Sequence, residues 1–502
     1  MKHALTILWL LTGVLLAEVR EVYVLQTTDA HARLSSNHQG EVCWPQLATV
    51  LARETRAVGP GKWLLIDCGD TVQGSLIASL TRGEAALQPI LALPYDAWIP
   101  GNHELDFGPQ RAAELFALAG DRLLCGNFAI RGHERPRAWR MFERNGLRLA
   151  VIGMQASYFL HWLLPGQYRQ CIVEKAEDVL PRILPEITAR KPDAIILATH
   201  QAWFEGRDPR AVNEVNAIAS HFPEIDLILG AHSHRKIPGC KIGLKTWYVQ
   251  AGCHCESLGV VKITADNESH RVLDIESCLR EVASDTPSDP VLADILKPWT
   301  DRESNYATED TGIRLAHGVS SAGRPGLGCQ TSELIARAMA EATGADLAFH
   351  GRLSSASLTP GPLTRRSLQE LVPYDNTIVT ATLTQEELEA IMDEQWKQRE
   401  SYRYCGPWNA WFEVGSGNKR AVLLGTGPDK APPKSGQTWK VAFNSHTAAG
   451  SGTFLTLRYF LNSKRAHLKE TDLNTRDAVE RYLRKHQGDP GKTTLWLTTS
   501  RQ

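Results

Sequence analysis

Five short apolar runs in the first half of this chain each end in residues able to bind a cation or move a proton. Thr28-Asp29-Ala30-His31 follows the first, Asp67-Cys68-Gly69-Asp70 closes the second, and Gly101-Asn102-His103-Glu104-Leu105-Asp106 follows the third. His200 ends the fourth, and Gly230-Ala231-His232-Ser233-His234 ends the fifth. Taken singly, each cluster reads as a surface turn or a pair of solvated imidazoles. Together, carboxylate, amide and imidazole donors at successive run ends form a mixed nitrogen–oxygen set sized for two metal ions. Such a set suits zinc, manganese, iron or cobalt and does not choose among them.

Residues so scattered along the chain need a scaffold that gathers them. Apolar runs at 22–26, 63–67, 97–99, 194–198, 225–229 and 247–250 predict strands, and 174–189 and 211–219 predict helices between them. This alternation is the pattern of an α/β domain, in which ligands bind outside the carboxyl ends of strands. On extended backbone, residues two apart project to one side, so Asp29 with His31 and His232 with His234 could each face one centre. Glycines beside Asp70, Asn102 and His232 would let the backbone turn sharply there.

With 502 residues the chain exceeds one compact core, and two large domains are expected. Polar and charged residues over 281–310 mark a linker holding a short helix at 291–299. A second α/β region occupies 311–502, with helices expected at 332–343, 385–396 and 475–483. The net charge of −1 and the absence of a basic run lack the electrostatic footprint of a nucleic-acid binder. The expected partner is therefore a small molecule, and the oligomeric state is left open. Lys2 and His3 precede an apolar run at 4–17, which reads as a signal peptide over 1–17. The run is shorter than the ~20 apolar residues that span a bilayer. Export to the periplasm or beyond, with no stable membrane insertion after cleavage, is the expectation; an uncleaved anchor is the rival. Ten cysteines in an exported chain permit disulfides, but their spacing shows no dense framework and pairing stays undecided. Cys68, inside an apolar strand, reads as a buried thiol.

The set Asp29-x-His31, Gly69-Asp70, Gly101-Asn102-His103-Glu104, His200 and Gly230-x-His232-x-His234 resembles the calcineurin-like metallophosphoesterases. Leu105-Asp106-Phe107-Gly108 further resembles their branch of 5′-nucleotidases and 2′,3′-cyclic phosphodiesterases. The resemblance implies an α/β fold of two domains: an αββα sandwich over 18–280, then a 5′-nucleotidase C-terminal-like substrate domain at 311–502. It implies that Asp29, His31 and His234 hold one divalent ion, that Asn102, His200 and His232 hold a second, and that Asp70 bridges them. Two such ions ~3.5–4 Å apart can share a water of lowered pKa and clamp an in-line displacement. The implied activity is release of phosphate from nucleotides by a metal-bridging hydroxide. His103, oriented by Asp106, would stabilise the phosphoryl or leaving oxygen. Glu104 would support the loop, and His161 and His254 read as ordinary histidines.

Gly344-Ala345-Asp346, Pro373-Tyr374-Asp375-Asn376 and the helix at 475–483 carry the resemblance into the second domain. There Trp411 would stack a base, His446 stands where a second aromatic ring is expected, and Gly452 stands where the family has a ribose-binding Asp. Arg352, in a shortened glycine loop, is a candidate phosphate donor. These departures open the alternatives of a non-nucleotide phosphoesterase or a thiosulfohydrolase acting on a carrier-bound sulfur group. The latter resembles this chain around Asp29-Ala30-His31-Ala32 and at 69–75. A catalytically dead binding protein is a third reading, opposed by a complete set of ligands.

Overall fold

A computed structural model describes residues 19–36, 40–206, 212–415, 420–450 and 454–499. The expected signal segment and Gly452 lie outside these described residues. Apolar runs rich in Val, Leu and Ile build the first domain's main strands. These are β1 (Val19–Thr27), β2 (Trp63–Asp67), β3 (Ala97–Trp98), β4 (Trp139–Arg144), β5 (Leu147–Gln155), β6 (Ala194–His200), β7 (Leu227–Leu229), β8 (Lys236–Ile242), β9 (Thr246–Ala251), β10 (Ser257–Asp266) and β11 (Arg271–Glu281). They form two mixed sheets, ordered β11-β10-β1-β2-β3 and β8-β9-β7-β6-β5-β4. β1, β2 and β3 run parallel, as do β5, β6 and β7, so within each sheet several carboxyl ends reach one edge.

Three apolar layers hold these sheets. Between them, Val24, Ile66 and Ala97 pack with Val151, Ile196 and Leu229, all fully buried. Outside the first sheet, Leu65 and Trp98 share a core with Trp44 and Leu47 of helix α1 (Trp44–Val58). Outside the second, Ile152, Leu197 and Ile228 pack on Leu180 and Ile218 from two further helices. Each such Val, Leu or Ile side chain contributes roughly 1.5–3 kcal/mol on burial. Helix, sheet, sheet and helix therefore stack in the expected order.

The polar stretch at 281–310 holds more structure than its composition announced. Helix α2 (Pro290–Thr308) runs well past the expected short helix. Asp289 caps it by accepting from the Leu292 N–H at 2.8 Å, and Leu292 and Leu296 enter the first domain's core. The second domain carries a mixed sheet of β12 (Leu347–His350), β13 (Thr377–Thr384), β14 (Gly406–Trp408), β15 (Thr438–Asn444) and β16 (Lys469–Asn474), ordered β14-β12-β15-β13-β16. Its helix α3 (Gln385–Lys397) starts at a capping box of Thr384 and Glu387. Among the described residues no helix is long and apolar enough to cross a membrane, and all ten cysteines are free.

Candidate metal centre

Asp29 and His31 follow β1, Asp70 follows β2, Asn102 follows β3, His200 ends β6, and His232 and His234 follow β7. The structure brings these side chains together at the edge where the two sheets meet. Donor atoms of Asp29, His31 and Asp70 lie within 4.8 Å of one another, as do those of Asp70, His200 and His232. Asp70 belongs to both groups. His232 Nδ1 stands 2.9 Å from Asn102 Oδ1, and His31 Nε2 stands 3.0 Å from His234 Nε2.

The pairs two residues apart do not face the centre through strand alternation, as the sequence had implied. Asp29, His31, Asp70, His232 and His234 have φ of 49°, 47°, 54°, 72° and 59°. The chain has left the strand and turned into the left-handed region, where a non-glycine residue costs roughly 1–2 kcal/mol. Hydrogen bonds hold it there: Asp29 N–H donates to Gly69 O at 2.8 Å, and His31 N–H to Asp70 O at 3.0 Å. The glycines divide by role. Gly69 has φ of 90° and does supply a turn. Gly101 supplies clearance, since a Cβ there would stand 2.2 Å from Asp70 Oδ1 and 2.8 Å from His200 Cε1. A Cβ at Gly230 would meet the Tyr248 hydroxyl at 1.9 Å.

Backbone carbonyls fix the imidazoles. His200 Nδ1–H donates to Cys68 O at 2.6 Å, and His31 Nδ1–H to Gln73 O at 3.2 Å. In the neutral rings each Nε2 then carries a lone pair aimed at the centre. His200 Nε2 is buried without a hydrogen-bond partner, although Asp70 Oδ2 lies 3.2 Å away. An imidazole nitrogen and a carboxylate oxygen so placed in a buried space are donors that a cation can share. The same closeness couples the protons of these buried groups. Burial, with the Asp70 charge adding to it, pushes Asp29 up to about 7 despite His200. Burial opposes charge on His200 too, yet Asp70 and Asp29 raise it to about 9. Against burial, His200 and His103 hold Asp70 well below the usual carboxylate range. The donors present therefore suit divalent cations.

Around the ligands stand supporting groups. His103 Nδ1 lies 2.8 Å from Asp106 Oδ2, and its Nε2 lies 4.0 Å from Asp70 Oδ2. Burial opposes a proton there, but Asp106 and Asp70 raise the ring to about 10. Glu104 is fully buried and accepts N–H bonds from Asp70 at 3.0 Å, Thr71 at 2.7 Å, Val72 at 3.2 Å and Gly101 at 2.5 Å. It staples the loop after β2 to the loop after β3. The Trp162 ring stacks on His232 at 4.9 Å and 22°, a contact with no motif to announce it.

The second-domain candidates part company. His446 lies exposed on the short helix Ser445–Ala448, near enough to His103 of the first domain to feel its charge. Desolvation, then the charges of His103 and Arg403, push its imidazole down to about 4. Arg352 instead donates to the Ser321 carbonyl and, at 3.1 Å, to Gly323 O in its own domain. The Trp411 ring lies edge-on to Trp496 at 4.9 Å, under Lys430 at 5.6 Å, and donates to Gly427 O at 2.9 Å. None of the partners of Arg352 and Trp411 belongs to the centre. Tyr374 and Tyr402, not singled out from the sequence as stacking rings, are exposed on the same domain. Burial, then Tyr402 and Asp106, raise the Tyr374 phenol, and the two rings are 42% and 75% exposed.

The chain matches two family models, calcineurin-like phosphoesterase over residues 22–236 and 5′-nucleotidase C-terminal domain over 307–458. It is 22% identical to Protein UshA of Yersinia enterocolitica, over 74% of this chain and 75% of that one. A Staphylococcus aureus chain described as a 5′-nucleotidase superposes with a TM-score of 0.80 at 17% identity, covering 96% of this chain and all of its own. Sulfate thiohydrolase SoxB of Thermus thermophilus superposes with a TM-score of 0.64 at 16% identity, covering 95% and 96% of the two chains.

Proposed function

Since this chain belongs to the calcineurin-like phosphoesterases that carry a 5′-nucleotidase C-terminal domain, we propose that it releases phosphate from nucleotides at the centre just described. Membership makes it a phosphoester hydrolase. The observation that supports a two-ion centre is the sharing of Asp70 between two donor groups. Asp29, His31 and His234 would hold one divalent cation, and Asn102, His200 and His232 the other. Zinc, manganese, iron and cobalt all suit these donors. When bound, such a pair supplies the charge that activates a water for in-line attack and neutralises phosphoryl oxygens.

The chain's own residues do the rest. Glu104 fixes the Asp70 backbone, and the Cys68 and Gln73 carbonyls set the imidazole tautomers. His103, held through Nδ1 by Asp106, keeps Nε2 toward the centre, where it can neutralise the phosphoryl group and protonate the departing ester oxygen. Tyr374, Tyr402 and His446 offer ring faces on the second-domain side, and a nucleobase can stack there. The apolar run at 4–17 supports an exported enzyme.

A second reading, hydrolysis of a carrier-bound sulfur group, draws on the SoxB-like fold. The complete Gly101-Asn102-His103-Glu104 run and the formed His103–Asp106 pair favour phosphoester chemistry. Metal-loaded protein assayed against nucleoside monophosphates, cyclic nucleotides, nucleotide sugars, glycerol phosphate and a thiosulfonate separates the two. Phosphate release fastest from nucleotides, abolished by chelation and restored by a divalent ion, is the expected result. Turnover of the thiosulfonate alone would overturn the proposal.

A further inference from the structure

His254, which reads from the sequence as an ordinary histidine, stands beside the first donor group. Its ring is 5.4 Å from His31 and 5.6 Å from His234, and His31 and His234 are 4.9 Å apart. The three planes cross pairwise at 64° to 66°, so no two of the rings stack. Their donor nitrogens all lie within 4.8 Å of one another. Two nitrogens on one zinc, each ~2.0–2.1 Å from it, stand at most ~4.2 Å apart, so small side-chain rotations bring all three onto a single ion.

The backbone is built for this placement. His254 has φ of 53° and Cys255 has φ of 63°, the same left-handed region that the other first-group ligands occupy. Residues in that region persist where their surroundings over-determine them, and they cluster at functional sites. Two contacts hold the turn: His254 N–H donates to Asp29 O at 2.8 Å, and Cys255 is buried beneath it. The Asp29 segment and the His254 turn are thus tied together at the ligand itself. Among the described residues, none forms a hydrogen bond with the His254 ring that would otherwise account for its position.

Resting on the two-ion reading above, we infer that His254 is a further ligand of the first cation, joining Asp29, His31 and His234. The first ion would then meet three imidazoles and the second only two, alongside an amide oxygen. Imidazole suits zinc better than manganese, whereas carboxylate and carbonyl oxygens suit manganese. The two sites are therefore unequal, and the first is the zinc-selective one.

Titration of zinc or manganese into the metal-free full chain, followed by calorimetry and metal analysis, tests this. His254→Asn tolerates the left-handed backbone, and His254→Gly relaxes it. Both variants should retain the circular dichroism of the parent and lose zinc affinity at one site by at least the ~10- to 100-fold that loss of a ligand's hydrogen-bond partner costs, with a smaller loss for manganese. Unchanged zinc affinity at both sites in either folded variant overturns the inference. A different outcome also overturns it. Cys253, His254 and Glu256 form a local group of their own, and a third zinc lost equally in His254→Asn, Cys253→Ser and Glu256→Gln would assign His254 there. A parent chain that binds fewer than two ions brings down the underlying two-ion reading together with this one.

Discussion

At the residue scale the centre depends on donors whose partners leave them one direction to act. His103 is the clearest case, because Asp106 takes its Nδ1 and Nε2 faces Asp70. Replacement of His103 by Ala should lower kcat/KM for the best nucleotide by roughly 10²- to 10⁴-fold, the range of general acid–base catalysis. Metal content, read by elemental analysis, should stay at the parent level. Full activity in this variant would remove His103 from the mechanism. That these candidate donors would gather was legible because each ends an apolar run in a donor-rich cluster, a pattern that composition alone does not produce five times over. How the paired ligands turn inward was not legible. Alternation along a strand predicts the same facing as a left-handed turn, so spacing could not tell the two apart. His254 was hidden for a different reason: it sits between two cysteines after β9, and although Gly252 marks the run end, no paired histidine follows it.

At the scale of elements, loops are held by single buried side chains. Glu104, within the short 3₁₀ turn His103–Leu105, joins the loops after β2 and β3. Glu104→Ala leaves the N–H groups of Asp70, Thr71, Val72 and Gly101 without that acceptor. It should destabilise the metal-free protein by about 3 kcal/mol or more, measured by urea unfolding, with Glu104→Gln intermediate. The second domain holds a titratable counterpart in β12. Burial pushes His350 down to about 4 from an ordinary 6.5, despite a bond to the Gly351 carbonyl, and its Nε2 accepts from Asn444 at 3.0 Å. The unfolded chain takes up a proton below pH 6.5 that the folded chain refuses until about pH 4. Stability is thus unaffected above this window and falls as pH drops through it, by about 3 kcal/mol in all. His350→Gln should flatten that part of the stability–pH curve; an unchanged slope would contradict the account. Strand and helix positions were largely readable from periodicity, whereas the length of α2 was not. Pro287, Pro290 and a run of charges resemble a linker until Leu292 and Leu296 are seen to enter a core.

At the scale of the whole molecule, the second domain faces the first across the centre. The Ser79 hydroxyl donates to Asp375, and the Gly166 N–H donates to Glu470 at 2.7 Å. The first contact sets the loop that carries Tyr374 beside Asp106. If Tyr402 offers a face to the nucleobase, Tyr402→Ala should raise KM for a nucleoside monophosphate by roughly 5- to 150-fold, as ~1–3 kcal/mol of stacking implies. The constants for glycerol phosphate should not move, and an equal loss on both substrates would exclude a stacking role. These substrate-side residues were the least legible part of the chain. Trp411 and Arg352 sit in segments that align with a known pattern, yet their side chains are spent on Trp496, Gly427 and the 321–323 carbonyls. Local alignment does not report which way a side chain is turned by its own sheet. One consequence of the arrangement concerns Asp70. Because a single carboxylate serves both donor groups, the centre cannot be dismantled by halves. If two cations sit as proposed, harm to either one's seat passes through that residue to the other, so lesions on the two sides compound less than their separate effects would suggest.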